Sequence, residues 1–127
     1  MEEKNKKLQE SGEMYLETIL ILSQKLENVR SIDVSEYRGY SKPSVSRAVN
    51  LLKAEGYIEI GSQTGYITLT PLGRETAEKI YERHQVLTNV LIALGVDPAI
   101  AEDDACRIEH VISDETFETL KKHLKPC

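Results

Sequence analysis

The chain has 127 residues, which allows one domain or two small lobes and falls well short of a typical multidomain enzyme. Apolar residue types make up 40% and charged types 29%, a globular composition that excludes a disordered, collagenous or low-complexity chain. The formal net charge of -5, taken alone, argues against nucleic acid as a partner.

Three helices are predicted before the first strand. Apolar side chains at helical spacing predict an amphipathic helix over residues 11–27. Asp33 is predicted to cap a short helix over 34–39, which Gly39 ends. After a tight turn, Ser41 is predicted to cap a second short helix that stops at Gly56. The buried face of that helix is predicted to carry Val45, Ala48, Val49 and Leu52.

A hairpin and three more helices are predicted in the rest of the chain. Two segments of alternating hydrophobicity, 57–61 and 65–70, predict a β-hairpin. A long helix is predicted from Pro71 to about Leu94. Two further helices are predicted over residues 98–112 and over residues 114–124.

Charge is distributed unevenly along the chain. Residues 30–53 carry five cations and two anions, a local balance of +3. Residues 97–118 carry eight acidic side chains and one basic side chain, a local balance of -7. The sequence therefore predicts two surfaces with different partners, an anion for the first and a cation for the second.

Two short helices, a tight turn and a hairpin are the element order of a winged helix-turn-helix. Arg47 can take a guanine edge and Asn50 an adenine edge, whereas Arg38, Lys42 and Lys53 suit phosphates. Double-stranded DNA is the predicted partner, bound by a homodimer at a pseudo-palindromic operator. The alternative is a protein-binding winged helix whose outer face is only solvated. The predicted DNA-binding residues are Arg38, Lys42, Pro43, Ser44, Ser46, Arg47 and Asn50.

Candidate metal ligands recur at helical spacing in the acidic segment. Cys106, Glu109 and His110 stand at i, i+3 and i+4, which places thiolate, carboxylate and imidazole on one face of the predicted helix. Together these groups suit a first-row transition metal. Singly, each has an ordinary explanation as a core thiol, a solvated carboxylate or a surface imidazole. Residues on two other predicted helices could complete the site, namely Met14, Glu17 and His84.

Four segments resemble the family of metal-dependent repressors that includes the diphtheria toxin repressor and the manganese transport regulator: EMYLETI, SKPSVSRAVNLL, ERHQVL and DDACRIEHVISDE. The resemblance extends from about Glu13 to Leu120, and ACRIEHVISDE together with EMYLE is its specific part. With the predicted elements, it implies a mainly α fold. Residues 1–70 would form a winged helix-turn-helix with a two-stranded wing, and residues 71–127 a helical dimerisation and metal-binding domain.

The resemblance also implies a ligand set of mixed type. Glu17 matches the manganese branch. In that branch a carboxylate at this position and the histidine that matches His84 serve a neighbouring metal. Thr88 and Glu102 stand where the iron branch has ancillary ligands, so a site of Glu17, His84 and Glu109 is expected instead. The main regulatory site would be like that of the iron branch, with Met14, Cys106, Glu109 and His110 as ligands.

The ligand chemistry leaves two metals open. Thiolate and thioether favour Fe(II), whereas Glu17 favours Mn(II), and Zn(II), Co(II) and Ni(II) can bind in vitro. A metal that joins ligands of both predicted domains would restrict the hinge between them. The predicted function is metal-activated repression of iron or manganese homeostasis genes. The alternative is a metal-independent winged-helix regulator that senses a small organic ligand, and no separate general base points to an enzyme.

The expected location is the cytoplasm, with no membrane partner. No apolar run approaches the roughly 18 residues of a membrane helix, and the first residues lack the hydrophobic region of a signal peptide. Cys106 and Cys127 do not resemble a disulfide framework, and reduced thiols suit an intracellular protein.

Overall fold

The computed structural model describes residues 10–124, a mainly helical chain with one two-stranded sheet. This order of elements confirms the predicted fold class. The chain divides into two compact units between Glu78 and Lys79. None of the helices in the described range is long and apolar enough to cross a membrane. The elements are α1 (Glu10–Lys25), α2 (Ser31–Arg38), α3 (Lys42–Ala54), β1 (Ile58–Ile60), β2 (Ile67–Leu69), α4 (Pro71–Ala93), α5 (Pro98–Ile108) and α6 (Asp114–Leu124).

Helix α1 forms the centre of the first unit. Its side chains Leu16, Ile19 and Leu20 are almost completely buried. Burial of a leucine or isoleucine side chain contributes about 1.5–3 kcal/mol to folding, so this one helix face accounts for much of the core. Two polar neighbours, Glu17 and Thr18, are buried with them. The predicted helix of residues 11–27 is confirmed, and its last turn ends at Lys25.

The helix α2 begins earlier than predicted. Arg30, not Asp33, is its N-cap residue, and Asp33 lies three positions later. The Asp33 carboxylate accepts a hydrogen bond from the backbone N–H of Arg30 at 2.8 Å. The predicted cap position was therefore wrong, although the carboxylate does satisfy a backbone donor at this helix start. The helix ends, as predicted, at Gly39, whose φ of 75° lies in the left-handed region that glycine adopts without strain.

Helix α3 follows the sequence prediction closely. The Ser41 hydroxyl caps it by accepting a hydrogen bond from the backbone N–H of Ser44. Val45, Val49 and Leu52 are buried, and Ala48 is half-buried. The buried stripe fixes the rotation of α3 about its own axis, because the opposite residues must then face outward.

The hairpin region packs closely against the start of α4, because a Cβ at Gly73 would lie only 1.9 Å from the carbonyl oxygen of Tyr57. Its antiparallel register pairs Ile58 with Leu69 and Ile60 with Ile67, so all four lie on one face, as predicted. The N–H of Ile67 also donates to the carbonyl of Val29 at 2.7 Å, which ties the hairpin to the segment before α2.

Helix α5 is shorter than predicted, and this changes the setting of the candidate ligands. It ends at Ile108, so the predicted extension to residue 112 was wrong. Glu109 is the C-cap and keeps helical backbone angles, whereas His110 lies in the following turn. The guanidinium of Arg83 donates to the carbonyls of Glu109 (3.2 Å) and Ile112 (2.8 Å), which stabilises the turn in place of another helical turn.

Candidate metal centre and DNA-binding face

The first unit presents two candidate ligands one turn apart on α1. Met14 is half-buried, and its sulfur accepts a hydrogen bond from the hydroxyl of Tyr40 at 3.2 Å. Glu17 is 2% exposed. A carboxylate so deeply buried is stable only when it is paired with a cation, well hydrogen-bonded or bound to a metal.

The second unit brings three of the predicted ligands together around one carboxylate. Glu109 is 1% exposed, and its Oε1 lies 2.9 Å from Nδ1 of His84. Its other oxygen, Oε2, lies 3.2 Å from Nε2 of His110. His84 therefore approaches one oxygen of Glu109 and His110 approaches the other.

The protonation of His84 reflects this contact. The hydrogen bond with Glu109 raises the pKa of His84 above its ordinary value, against the opposite effect of burial. Glu102 adds to the increase in pKa, because its carboxylate lies 3.7 Å from Nε2 of His84. A metal requires the neutral imidazole, so metal binding at His84 would compete with the proton that this contact stabilises.

The donor atoms of the second unit fit a divalent transition metal. Within residues 10–124, Oε2 of Glu109 accepts no hydrogen bond, so it keeps lone pairs available for a cation. Its separation of 3.2 Å from Nε2 of His110 is close to the roughly 3 Å expected between adjacent ligand atoms at metal distances of about 2.1 Å. Cys106, half-buried on α5, precedes Glu109 by three positions and is the predicted thiol ligand.

Thr88 and Glu102 stand where the iron branch has ancillary ligands, and their surroundings differ from each other. The hydroxyl oxygen of Thr88 is buried and has no hydrogen-bond partner within the described range. Glu102 is largely exposed, and among residues 10–124 only its contact with His84 at 3.7 Å joins it to the other candidate ligands. A hydroxyl is a poorer metal ligand than the carboxylate or imidazole found on the other candidates.

Helix α3 presents most of the predicted DNA-binding residues to solvent. The amide nitrogen of Asn50 donates to the carbonyl of Ser46 at 2.9 Å, which holds that side chain along the helix. Ser44 is half-buried, and its hydroxyl accepts a hydrogen bond from the Ser41 hydroxyl at 2.9 Å. The exposed members of the predicted set are Lys42, Pro43, Ser46, Arg47 and Asn50.

Arg38 differs from the other predicted phosphate contacts. It is half-buried, and its Nε donates a hydrogen bond to the hydroxyl of Thr18 at 2.6 Å. Its guanidinium also lies 5.5 Å from the ring centroid of Tyr37. Arg38 thus fastens α2 to α1, a contact that the sequence pattern does not indicate because the partners are 20 residues apart.

Two residues that no sequence motif indicates contact the candidate ligands. Tyr40 donates to the sulfur of Met14, and Arg83 holds the carbonyl of Glu109. The partners of these contacts are each 26 residues apart, and no local pattern pairs them. The sole sequence signal is the position of Arg83 directly before His84.

Two domain families match the chain. Residues 7–66 match the family described as iron dependent repressor, N-terminal DNA binding domain. Residues 70–127 match the family described as iron dependent repressor, metal binding and dimerisation domain.

Individual proteins are similar over most of the chain. The transcriptional regulator MntR of Escherichia coli O157:H7 is 36% identical over 107 residues, which are 84% of this chain and 68% of that protein. The diphtheria toxin repressor of Corynebacterium diphtheriae is 33% identical over 121 residues, which are 94% of this chain and 53% of that protein.

A solved structure described as a manganese-dependent transcriptional repressor in complex with manganese is also similar. Its TM-score is 0.81 and its identity 26%, over 89% of this chain and 52% of that chain. The chain therefore spans about two thirds of MntR and about half of the diphtheria toxin repressor and of this structural neighbour.

Proposed function

Because this chain belongs to the family of metal-dependent transcriptional repressors that includes MntR and the diphtheria toxin repressor, we propose that it is a metal-activated repressor of iron or manganese homeostasis genes. The observation that carries the proposal is the buried carboxylate of Glu109 between His84 and His110. A regulator of gene expression would act on DNA in the cytoplasm.

The proposed nucleic-acid partner is double-stranded DNA, with α3 in the major groove. Its exposed face offers Arg47 and Asn50 for base edges and Lys42 for a phosphate. We propose a homodimer on a pseudo-palindromic operator, since two symmetry-related helices read two half-sites about one helical turn apart. Similarity to a dimerisation domain supports this assembly.

The proposed metal ligands come from both units. His84, Glu109 and His110 would hold the metal from the second unit together with the thiolate of Cys106. Met14 and Glu17 would be the ligands of the first unit, as the family resemblance implies. The bound ion would supply positive charge to two deeply buried carboxylates, Glu17 and Glu109. Ligation by residues of both units would restrict their relative motion and favour the DNA-binding conformation.

Fe(II) and Mn(II) are the proposed physiological ions. The sulfur atoms of Met14 and Cys106 favour Fe(II), and the oxygen donors Glu17 and Glu109 favour Mn(II). Zn(II), Co(II) and Ni(II) would also bind in vitro, since their intrinsic affinities exceed that of Mn(II).

The proposal is tested by fluorescence anisotropy of a labelled DNA pool under anaerobic, reducing conditions. Fe(II), Mn(II) and a chelator are titrated separately at one fixed salt concentration, because phosphate contacts make DNA affinity depend on salt. Either ion is expected to raise DNA affinity about 5- to 150-fold, the usual range for a coupled site. A chelator should reverse the increase.

A pair of variants relates this effect to the proposed site. Glu109→Gln keeps the shape of the side chain and removes its charge, so we expect the metal response to disappear. Glu115→Gln is the matched control, because Glu115 is exposed on α6. Equal DNA affinity with and without metal would contradict the proposal and would favour a metal-independent winged-helix regulator that senses an organic ligand.

A further inference from the structure

Tyr40 occupies the turn between the two helices of the helix-turn-helix. It directly precedes Ser41, the N-cap of α3. Its backbone N–H donates to the carbonyl of Ser35 at 3.2 Å, and its own carbonyl accepts a hydrogen bond from the Ser35 hydroxyl at 2.6 Å. The backbone of Tyr40 is therefore fixed to the end of α2 at the point where α3 begins.

The side chain of Tyr40 extends to α1. Its hydroxyl donates to the sulfur of Met14 at 3.2 Å, and its ring meets that of Tyr15 edge-on with centroids 5.8 Å apart. Tyr40 thus contacts a proposed metal ligand through its side chain, and its backbone leads directly into Ser41 at the start of α3. All of these atoms belong to the first unit.

We propose that Tyr40 is a positioning residue that couples metal ligation at Met14 to the placement of α3. This inference rests on the proposed function and on Met14 as a ligand. A thioether sulfur has two lone pairs, so one can accept the Tyr40 hydrogen bond while the other faces a metal. Hydrogen-bond partners of metal ligands fix the orientation of the ligand, and the ligand in turn fixes the partner. Metal ligation would therefore restrain the turn from which α3 starts.

A second connection from Met14 reaches the other helix of the motif. The Thr18 hydroxyl donates to the carbonyl of Met14 at 2.9 Å and accepts a hydrogen bond from Nε of Arg38 at 2.6 Å. Loss of the Tyr40 hydroxyl leaves this main-chain connection intact. We therefore expect Tyr40→Phe to reduce the coupling between metal and DNA rather than abolish it, and to leave the fold unchanged.

The test compares Tyr40→Phe with the wild type and with Tyr37→Phe. Tyr37 is exposed on α2, which makes it a matched control. DNA affinity is measured with and without Mn(II), and Co(II) affinity is measured without DNA from its visible absorption. The ratio of DNA affinities with and without metal is expected to fall at least about threefold in Tyr40→Phe alone, and Co(II) affinity by up to about tenfold.

A double-mutant cycle separates coupling from a general loss of stability. Met14→Leu keeps the volume but removes the sulfur acceptor, so adding Tyr40→Phe to it should change Co(II) affinity no further. Additive effects of the two substitutions on Co(II) affinity would overturn the inference. So would a ratio of DNA affinities with and without metal that is the same in Tyr40→Phe as in a metal-responsive wild type. An unresponsive wild type would instead overturn the proposed function.

Discussion

At the scale of single residues, Glu109 is the carboxylate that both candidate histidine ligands of the second unit contact. A buried carboxylate is stable only with a cation, hydrogen bonds or a metal, and His84 and His110 lie against its two oxygens. The same three groups can exchange a proton for a metal, since imidazole binds metal only when it is neutral. Glu109 can thus be stabilised by a proton on His84 without metal and by the ion when metal is present.

The raised pKa of His84 gives a pH-dependent stability in the metal-free protein. Because the folded pKa lies above the unfolded value of about 6.5, the stabilisation is complete below that pH and is lost as the pH rises through the folded pKa. Glu109 and Glu102 are the carboxylates that cause the shift. Urea unfolding from pH 6 to 8 should show a steeper fall in unfolding free energy for the wild type than for His84→Gln. Equal slopes would contradict this assignment.

Cys106 is expected to select the metal. Removal of the thiol in Cys106→Ala should lower affinity for Fe(II) and Co(II) more than affinity for Mn(II), because thiolate ligands favour the softer ions. Metal affinities are measured by competition with a chelator under reducing conditions. Cys106→Ser, which keeps a polar atom, serves as a second variant. An unchanged metal preference and unchanged metal-stimulated DNA binding in both variants would show that Cys106 is not a ligand.

At the scale of elements, Arg83 determines how α5 connects to α6. Its guanidinium donates to the carbonyls of Glu109 and Ile112, forms an ion pair with Asp114 and lies 5.4 Å from the ring centroid of Phe117. These contacts hold the turn that carries His110. A side chain on α4 therefore shapes the segment between two later helices.

Loss of this guanidinium should destabilise the metal-free protein. Hydrogen bonds from charged groups contribute about 1.5–3 kcal/mol each, so Arg83→Met is expected to lower the unfolding free energy by about 2–4 kcal/mol. Arg74→Met is the control, since the Arg74 side chain pairs, within the described part of the chain, only with Glu78 in an exposed ion pair on the same helix. Its loss should change stability by less than about 1 kcal/mol. Urea unfolding measures both, and equal losses would contradict the role given to Arg83.

Elements fixed by neighbouring residues could be predicted from the sequence. Ser41 marks the start of α3 through its hydrogen bond, and Gly39 marks the end of α2 through its backbone angles. The spacing of Val45 and Val49 sets the buried face of α3. The end of α5 could not be predicted, because it depends on Arg83 from a distant helix. The residue types of the ligands were recognisable in the sequence. Their support by Tyr40 and Arg83 required the three-dimensional structure.

At the scale of the whole molecule, the uneven distribution of charge suits two different partners, an anion for residues 30–53 and a cation for residues 97–118. The net charge of -5 would repel DNA, yet residues 30–53 carry a local balance of +3 and include the exposed face of α3. The acidic residues are concentrated between 97 and 118, in the half of the chain that matches a metal-binding domain. Total charge is therefore a poor guide to the partners of this protein, and its distribution is a better one.

The second unit also carries exposed apolar side chains that suit the proposed homodimer. Leu94, 76% exposed directly after α4, is the most prominent, and others lie on α4, on α5 and after α5. Exposed apolar side chains are typical of a protein–protein interface where they form one contiguous patch. The others in this unit are Ile92, Ile100 and Val111.

A charge placed at Leu94 is expected to separate the proposed dimer. Leu94→Asp would bury an unpaired carboxylate in the interface, so sedimentation velocity at micromolar concentration should detect monomers, and DNA affinity should fall because one subunit reads only one half-site. Leu72→Asp is the matched control, because Leu72 is an exposed leucine at the start of α4 in the first unit and should leave the dimer intact. Metal affinity of the second-unit ligands should persist in Leu94→Asp. A stable dimer in that variant would place the interface elsewhere on the molecule.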